Sequence, residues 1–266
     1  MRRAFFVFGI VWTTILLFPL MAMAEEDTKE TWKELNQTSD QILQLVKQEK
    51  YEDAKKLIGY FSDVFLRLDF KAEGLTMNDL RTVTITVDKA NEALASVDMS
   101  YSERVHEVTS FRLAVDALSS DFHPLWLYTE DTIMTVLQHL TENIKEGSAQ
   151  TFQHGLNEFL YQYKMVRPAL LIDLEPMQLQ KIESQIKFLE SLRVDVTNQE
   201  VILNHLESMI SEWESLYQQV KEEQADPSLL WVIITIGGMI FFSLSYVGWK
   251  KYKAEKEKSD KIRAKE

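Results

Sequence analysis

At 266 residues the chain is long enough for one sizeable domain, or two small ones, with a real hydrophobic core. Its 41 acidic against 29 basic residues give a net charge of -12, and residues 25–228 are more acidic still once the basic ends are set aside. Such a surface repels phosphate backbones and anionic headgroups, so nucleic acid is excluded as a partner and a cationic one is favoured. There is no cysteine, hence no disulfide framework, thiol catalysis or thiolate metal site.

Residues 1–24 carry Arg2 and Arg3, then an apolar run, then Ala22-Met23-Ala24, the small-x-small pattern of a signal-peptidase site. They read as a cleaved signal peptide, with an uncleaved anchor as the alternative. Both readings place the middle of the chain outside the membrane.

From Glu26 onward, apolar residues recur at helical spacing in one segment after another. Trp32, Leu35, Ile42 and Leu45 form the first stripe; Ala54, Leu57, Ile58, Phe61, Val64, Phe65 and Leu68 form the second. Only Glu49-Lys50-Tyr51 separates them, which predicts a tight antiparallel pair. Leu80, Val83, Val87, Ala90, Leu94 and Val97 predict a third helix. Val83, Ile85 and Val87 alternating with threonines would also suit a strand, but the longer period outvotes it. Residues 98–102 supply a turn with capping residues, and Val105, Val108, Phe111, Val115 and Leu118 continue into a fourth helix.

Residues 119–128 are the least regular stretch, where Pro124 bars a continuous helix and two helical pairs are expected to meet. Ile133, Val136, Leu137, Leu140 and Ile144 predict a fifth helix. Phe152, Leu156, Phe159, Leu160 and Tyr163 predict a sixth, which Arg167-Pro168 should end. Pro176 suits the first turn of a seventh, with Leu179, Ile182, Ile186 and Leu189. Ile202, Leu206, Met209, Trp213, Leu216 and Val220 form the eighth and strictest stripe, too short for a coiled coil. Two of the pairs share a layout that hints at an internal repeat. Trp32-x-x-Leu35 and Tyr51-x-x-Ala54 match parts of a tetratricopeptide unit, but no 34-residue period recurs.

Residues 229–249 carry no charge and match the ~20 residues a helix needs to cross a bilayer. Trp231 at one end and Tyr246 and Trp249 at the other suit the headgroup level, and Lys250 and Lys251 follow at once. Positive charge is retained on the cytoplasmic side, so this reads as a single membrane span with the basic tail, residues 250–266, inside and the domain of residues 25–228 outside. Asp226-Pro227 separates that domain from the span.

No chemistry stands out. None of the histidines, His106, His123, His139, His154 and His205, forms an H-E-x-x-H pair. Ser184-Gln185-Ile186-Lys187 matches S-x-x-K, without the companion S-D-N and K-T-G elements and within an amphipathic helix. Walker, G-x-G-x-x-G and G-x-S-x-G motifs are missing, and acidic residues are too numerous to single out a catalytic pair. The sequence therefore yields no catalytic, cofactor-binding or metal-ligating residue. Trp126 and Tyr128, in the aromatic cluster after Pro124, are candidate partner-binding residues, with core packing as the competing role.

With its opening TWKELNQTSDQILQLVKQEKYEDAKKL and its tail KKYKAEKEK, this layout resembles the sporulation protein YpjB family of endospore-forming bacteria over essentially the full length. The resemblance implies a membrane protein with a role in spore formation, and it supplies no catalytic residues. The expected fold is all-α: an extracytoplasmic bundle or short solenoid of helical hairpins, plus one C-terminal transmembrane helix. The expected function is non-catalytic protein–protein interaction at the outer membrane face, with an unidentified protein partner and no cofactor. A small-ligand sensor and an envelope hydrolase are the alternatives.

Overall fold

Caps and apolar spacing set the helix boundaries in the computed structural model, which describes residues 30–120, 123–145, 149–193, 198–223 and 227–263. The segment read as a signal peptide lies outside these residues. Helix α1 covers residues 30–47. Glu49, with φ of 60°, then reverses the chain into α2, Tyr51–Phe65. Thr76 opens α3, Met77–Ala95, in a capping box with Asp79; Ser100 and Glu103 do the same for α4, Tyr101–Ser119. A 3-10 turn, Leu125–Thr129, leads into α5, Glu130–Lys145. Helices α6, Ala149–Asp173, α7, Pro176–Ser191, and α8, Gln199–Glu223, follow. The last helix is α9, Pro227–Arg263.

Among the described residues there is no strand, and Val83, Ile85 and Val87 all lie within α3. That helix stops before Val97: Ser96 is already extended, and Val97 is 92% exposed rather than part of the buried stripe.

Two apolar cores form in the unit that ends at Lys221. Side chains of α1 to α4 build the first, centred on Ile42, Phe61, Val83 and Phe111. The 3-10 turn and α5 to α8 build the second, centred on Leu137, Phe159, Leu206 and Trp213. Helix α4 packs against both α3 and α6, giving Phe111 to one core and Leu113 to the other. Helices α7 and α8 run in opposite directions: Gln178, Lys181 and Gln185 of α7 meet Gln219, Glu212 and His205 of α8.

The sixth helix does not end at Arg167-Pro168 but runs through the proline to Asp173. Pro168 has no N–H for the Lys164 carbonyl, a loss worth ~3 kcal/mol in an ordinary helix interior. Burial of Val166, Ala169, Leu170 and Leu174 in the second core offsets it, since apolar burial contributes ~25 cal/mol per Å².

The second unit, residues 222–266, contains α9. Among the described residues, Val232–Tyr252 is the one helical stretch long and apolar enough to cross a membrane, and none of it is buried within the protein. Its apolar side chains, including Phe241, Phe242 and Ile240, face outward all round, as a span surrounded by lipid requires.

Candidate functional site

Asp116, buried in the last turns of α4, accepts the Leu125 N–H at 2.6 Å and is paired with Arg112. This fixes the start of the 3-10 turn, which Pro124 precedes, after α4 has ended at Ser119. Two residues along a 3-10 turn point about 240° apart, so Trp126 and Tyr128 part company. Trp126 is fully buried: its Nε1–H donates to Asp173 Oδ2 at 2.7 Å, and its ring sits 5.4 Å from that of Tyr217. Thr129 donates to the Trp126 carbonyl and lies 3.1 Å from the Tyr217 hydroxyl, while Glu130 pairs with Lys221. The turn is thereby tied to α4, α6 and α8.

Tyr128 stands out from this platform, 78% exposed, beside a cavity of about 510 Å³ lined by His123, Leu127, Asp131 and Lys221. Of the two aromatic residues singled out in sequence, only Tyr128 is presented at the surface; Trp126 holds it up from beneath. Burial pushes the Asp173 carboxyl above its usual range; the Trp126 N–H opposes that shift and nearby Asp116 adds to it.

The same end of the unit gathers other exposed apolar side chains. Asn78 donates to the Leu171 carbonyl, bringing the start of α3 to the end of α6, and Gln178 meets Gln219 where α7 begins beside the end of α8. Met77 and Met177, in those first turns, are 79% and 81% exposed, and Leu66 at the close of α2 is 70% exposed. Among the described residues of this unit, the only other large apolar side chain so open is Val97, in the α3–α4 connection. Asp131 lines the cavity beside Tyr128, and Asp79 and Glu175 lie two residues from Met77 and Met177 along the chain. Lys221, paired with Glu130, belongs to this end too.

The remaining sequence candidates sit elsewhere. Tyr246, Trp249, Lys250 and Lys251 are exposed on α9; Trp231 lies in the same helix, its side chain outside the described residues. Ser184 of the S-x-x-K match donates to the Lys181 carbonyl of its own helix. His106 and His205 bond the carbonyls of Tyr161 and Gln185, joining α4 to α6 and α8 to α7. Among the described residues no three of His, Cys, Asp and Glu converge on a metal-binding arrangement. Met77, Met177, Asp173 and Tyr217 were not legible as parts of this site. The available signal was positional: Met77 follows the Thr76 cap and Met177 follows Pro176, so both open helices.

A family model described as Sporulation protein YpjB (SpoYpjB) matches residues 32–261. The chain is 32% identical over 231 residues, 86% of its own length and 88% of the relative's, to "Uncharacterized protein YpjB" of Bacillus subtilis (strain 168). No solved structure matches.

Proposed function

The chain belongs to the sporulation protein YpjB family, and on that footing we propose that it is a non-catalytic docking protein, tethered by Val232–Tyr252 with its helical unit on the outer face of the membrane. The Tyr128 end is the docking surface, and its occupant is a protein with an apolar patch rimmed by cationic side chains. One observation carries the reading: four of the most exposed apolar side chains of the helical unit collect at its Tyr128 end. Exposed apolar groups gathered at one place mark interaction surfaces, whereas scattered ones do not. The neighbouring Asp79, Asp131 and Glu175 disfavour an anionic lipid surface and favour a basic protein rim. The outward orientation is supported by Lys250 and Lys251 directly after Trp249.

Photo-crosslinking from single positions tests this in sporulating cells. A photoreactive residue at 128 or 177 is expected to give one discrete protein adduct that charge reversal by Asp131→Lys and Glu175→Lys removes, and the same residue at 97 is expected to give none. Adducts to lipid alone, or an identical adduct from position 97, would contradict the docking surface.

A further inference from the structure

In an acidic protein, one cavity gathers cations. Helices α3, α4 and α6 enclose a space of about 400 Å³, the size of a small-ligand site. From α3 come Thr82, Ile85, Thr86 and Lys89; from α6 come Lys164, Arg167, Pro168 and Leu171. Both sets fall at i, i+3, i+4 and i+7, so each is one continuous helix face turned to the same space. These faces are half polar, which is why apolar periodicity passes over them.

The floor is made of hydroxyls. Thr82, Thr86 and Ser110 are 7%, 2% and 5% exposed. Ile85, Pro168 and Leu171 form apolar walls. At the rim, Lys89 and Lys164 are exposed, and both help hold the Glu107 carboxyl below its usual range, after the larger effect of its hydrogen bond to His106. Among the described residues neither lysine has a carboxylate within ion-pair distance. Arg167 is neutralised by Glu183, which takes both its Nε and an Nη at 2.9 and 2.5 Å. Two lysines against one glutamate leave a single positive charge uncompensated. Pro168 adds one more feature: the carbonyl it cannot serve is that of Lys164, itself a lining residue. A local rule broken at a cavity, with the cost met by packing elsewhere, is what a binding site leaves in a fold.

We propose that this cavity is a binding site for a small monocarboxylate with a short aliphatic or branched chain. The carboxylate sits between the Lys89 and Lys164 ammonium groups and accepts from the Thr82 and Ser110 hydroxyls, the Thr86 hydroxyl being committed to the Val83 carbonyl, and the chain lies along Ile85, Pro168 and Leu171. One negative charge balances the rim, whereas a dianion overcharges it and a cation meets like charge. The site is distinct from the Tyr128 end and stands whether or not that end docks a protein.

The test uses the full chain in nanodiscs with hexanoate as probe, and hexan-1-ol and hexylammonium as equal-length controls for partitioning into lipid. Hexanoate at ten times its Kd is expected to raise Tm by about 3–5 °C more than either control. Lys89→Gln and Lys164→Gln, both at exposed side chains, are expected to weaken hexanoate at least tenfold while leaving the ligand-free Tm within about 1 °C. The proposal is overturned if hexanoate gives no shift beyond the controls, or if its shift persists in both variants. Should either variant misfold, Lys89→Arg and Lys164→Arg serve in its place and must retain binding.

Discussion

Replacing Trp126 by phenylalanine isolates the hydrogen bond on which the Tyr128 end is seated. The phenyl ring keeps most of the contact with Tyr217 but removes Nε1–H, stranding the Asp173 carboxylate, which burial already disfavours in its charged form. A buried acceptor left without its donor costs about 1–3 kcal/mol, and more when ionised, so a loss of about 2–4 kcal/mol is expected at pH 7. For a unit of this size that lowers Tm by roughly 5–15 °C. The pH dependence has a definite sign. Asp173 has its folded pKa raised, so its favourable contribution is full below the unfolded pKa and is lost as pH rises through the folded pKa. Removing the N–H raises that pKa further, so the penalty of Trp126→Phe is largest at neutral pH and shrinks on acidification. Asp173→Asn keeps an acceptor without the charge; it is expected to hold or raise stability alone and to rescue part of the loss in the double variant. Urea and thermal unfolding of the detergent-solubilised chain, followed by circular dichroism at neutral and mildly acidic pH, measures all four proteins. A Trp126→Phe cost below about 0.5 kcal/mol, a cost independent of pH, or strict additivity in the double variant would refute the argument.

Arg104→Lys is expected to destabilise by about 2–4 kcal/mol, because the buried guanidinium donates to the carbonyls of Met99, Ala93 and Ser96 and stacks on Tyr51, a geometry an ammonium does not reproduce; chemical denaturation reads it. Pro168→Ala restores a donor to the Lys164 carbonyl and is expected to raise Tm by about 3–6 °C, whereas a fall would mean that the packing around α6 depends on the proline ring. The chain has no cysteine, so Val97→Cys and Ser259→Cys give single labelling sites; an impermeant maleimide on intact protoplasts is expected to modify 97 and spare 259, and the reverse pattern would invert the proposed orientation.

The helices of the two cores were legible because each buries a stripe. Ile42, Ile58, Phe61, Leu137 and Trp213 were all placed by spacing, and all are buried. In helix α4 spacing placed one face, Val105, Val108, Phe111, Val115 and Leu118, in the first core but not the others. It lies between both cores and also buries Arg104, His106, Ser110, Leu113 and Asp116, so almost every face is covered, which a single apolar stripe does not convey. Its pairing with α6 is long-range, and nothing local encodes it. Pro168 was misread because a local rule was applied where tertiary burial of Ala169 and Leu170 prevails. For the site, the irregular stretch around Pro124 drew attention to Trp126 and Tyr128 but not to their opposite orientations, which depend on a 3-10 turn anchored by Asp116. Met77 and Met177 join Tyr128 only through the fold, since about fifty residues separate each of them from it along the chain.

Spore formation in cells carrying Tyr128→Glu together with Met177→Glu tests the docking account most directly. Both side chains are exposed, so the variant should reach the membrane at normal abundance. Placing two carboxylates in an apolar contact is expected to cut heat-resistant spore counts to the level of cells lacking the protein, while Val97→Glu in the α3–α4 connection leaves them unchanged. Full spore counts from the double variant, at normal protein level, would contradict the claim that this end of the protein is where it works.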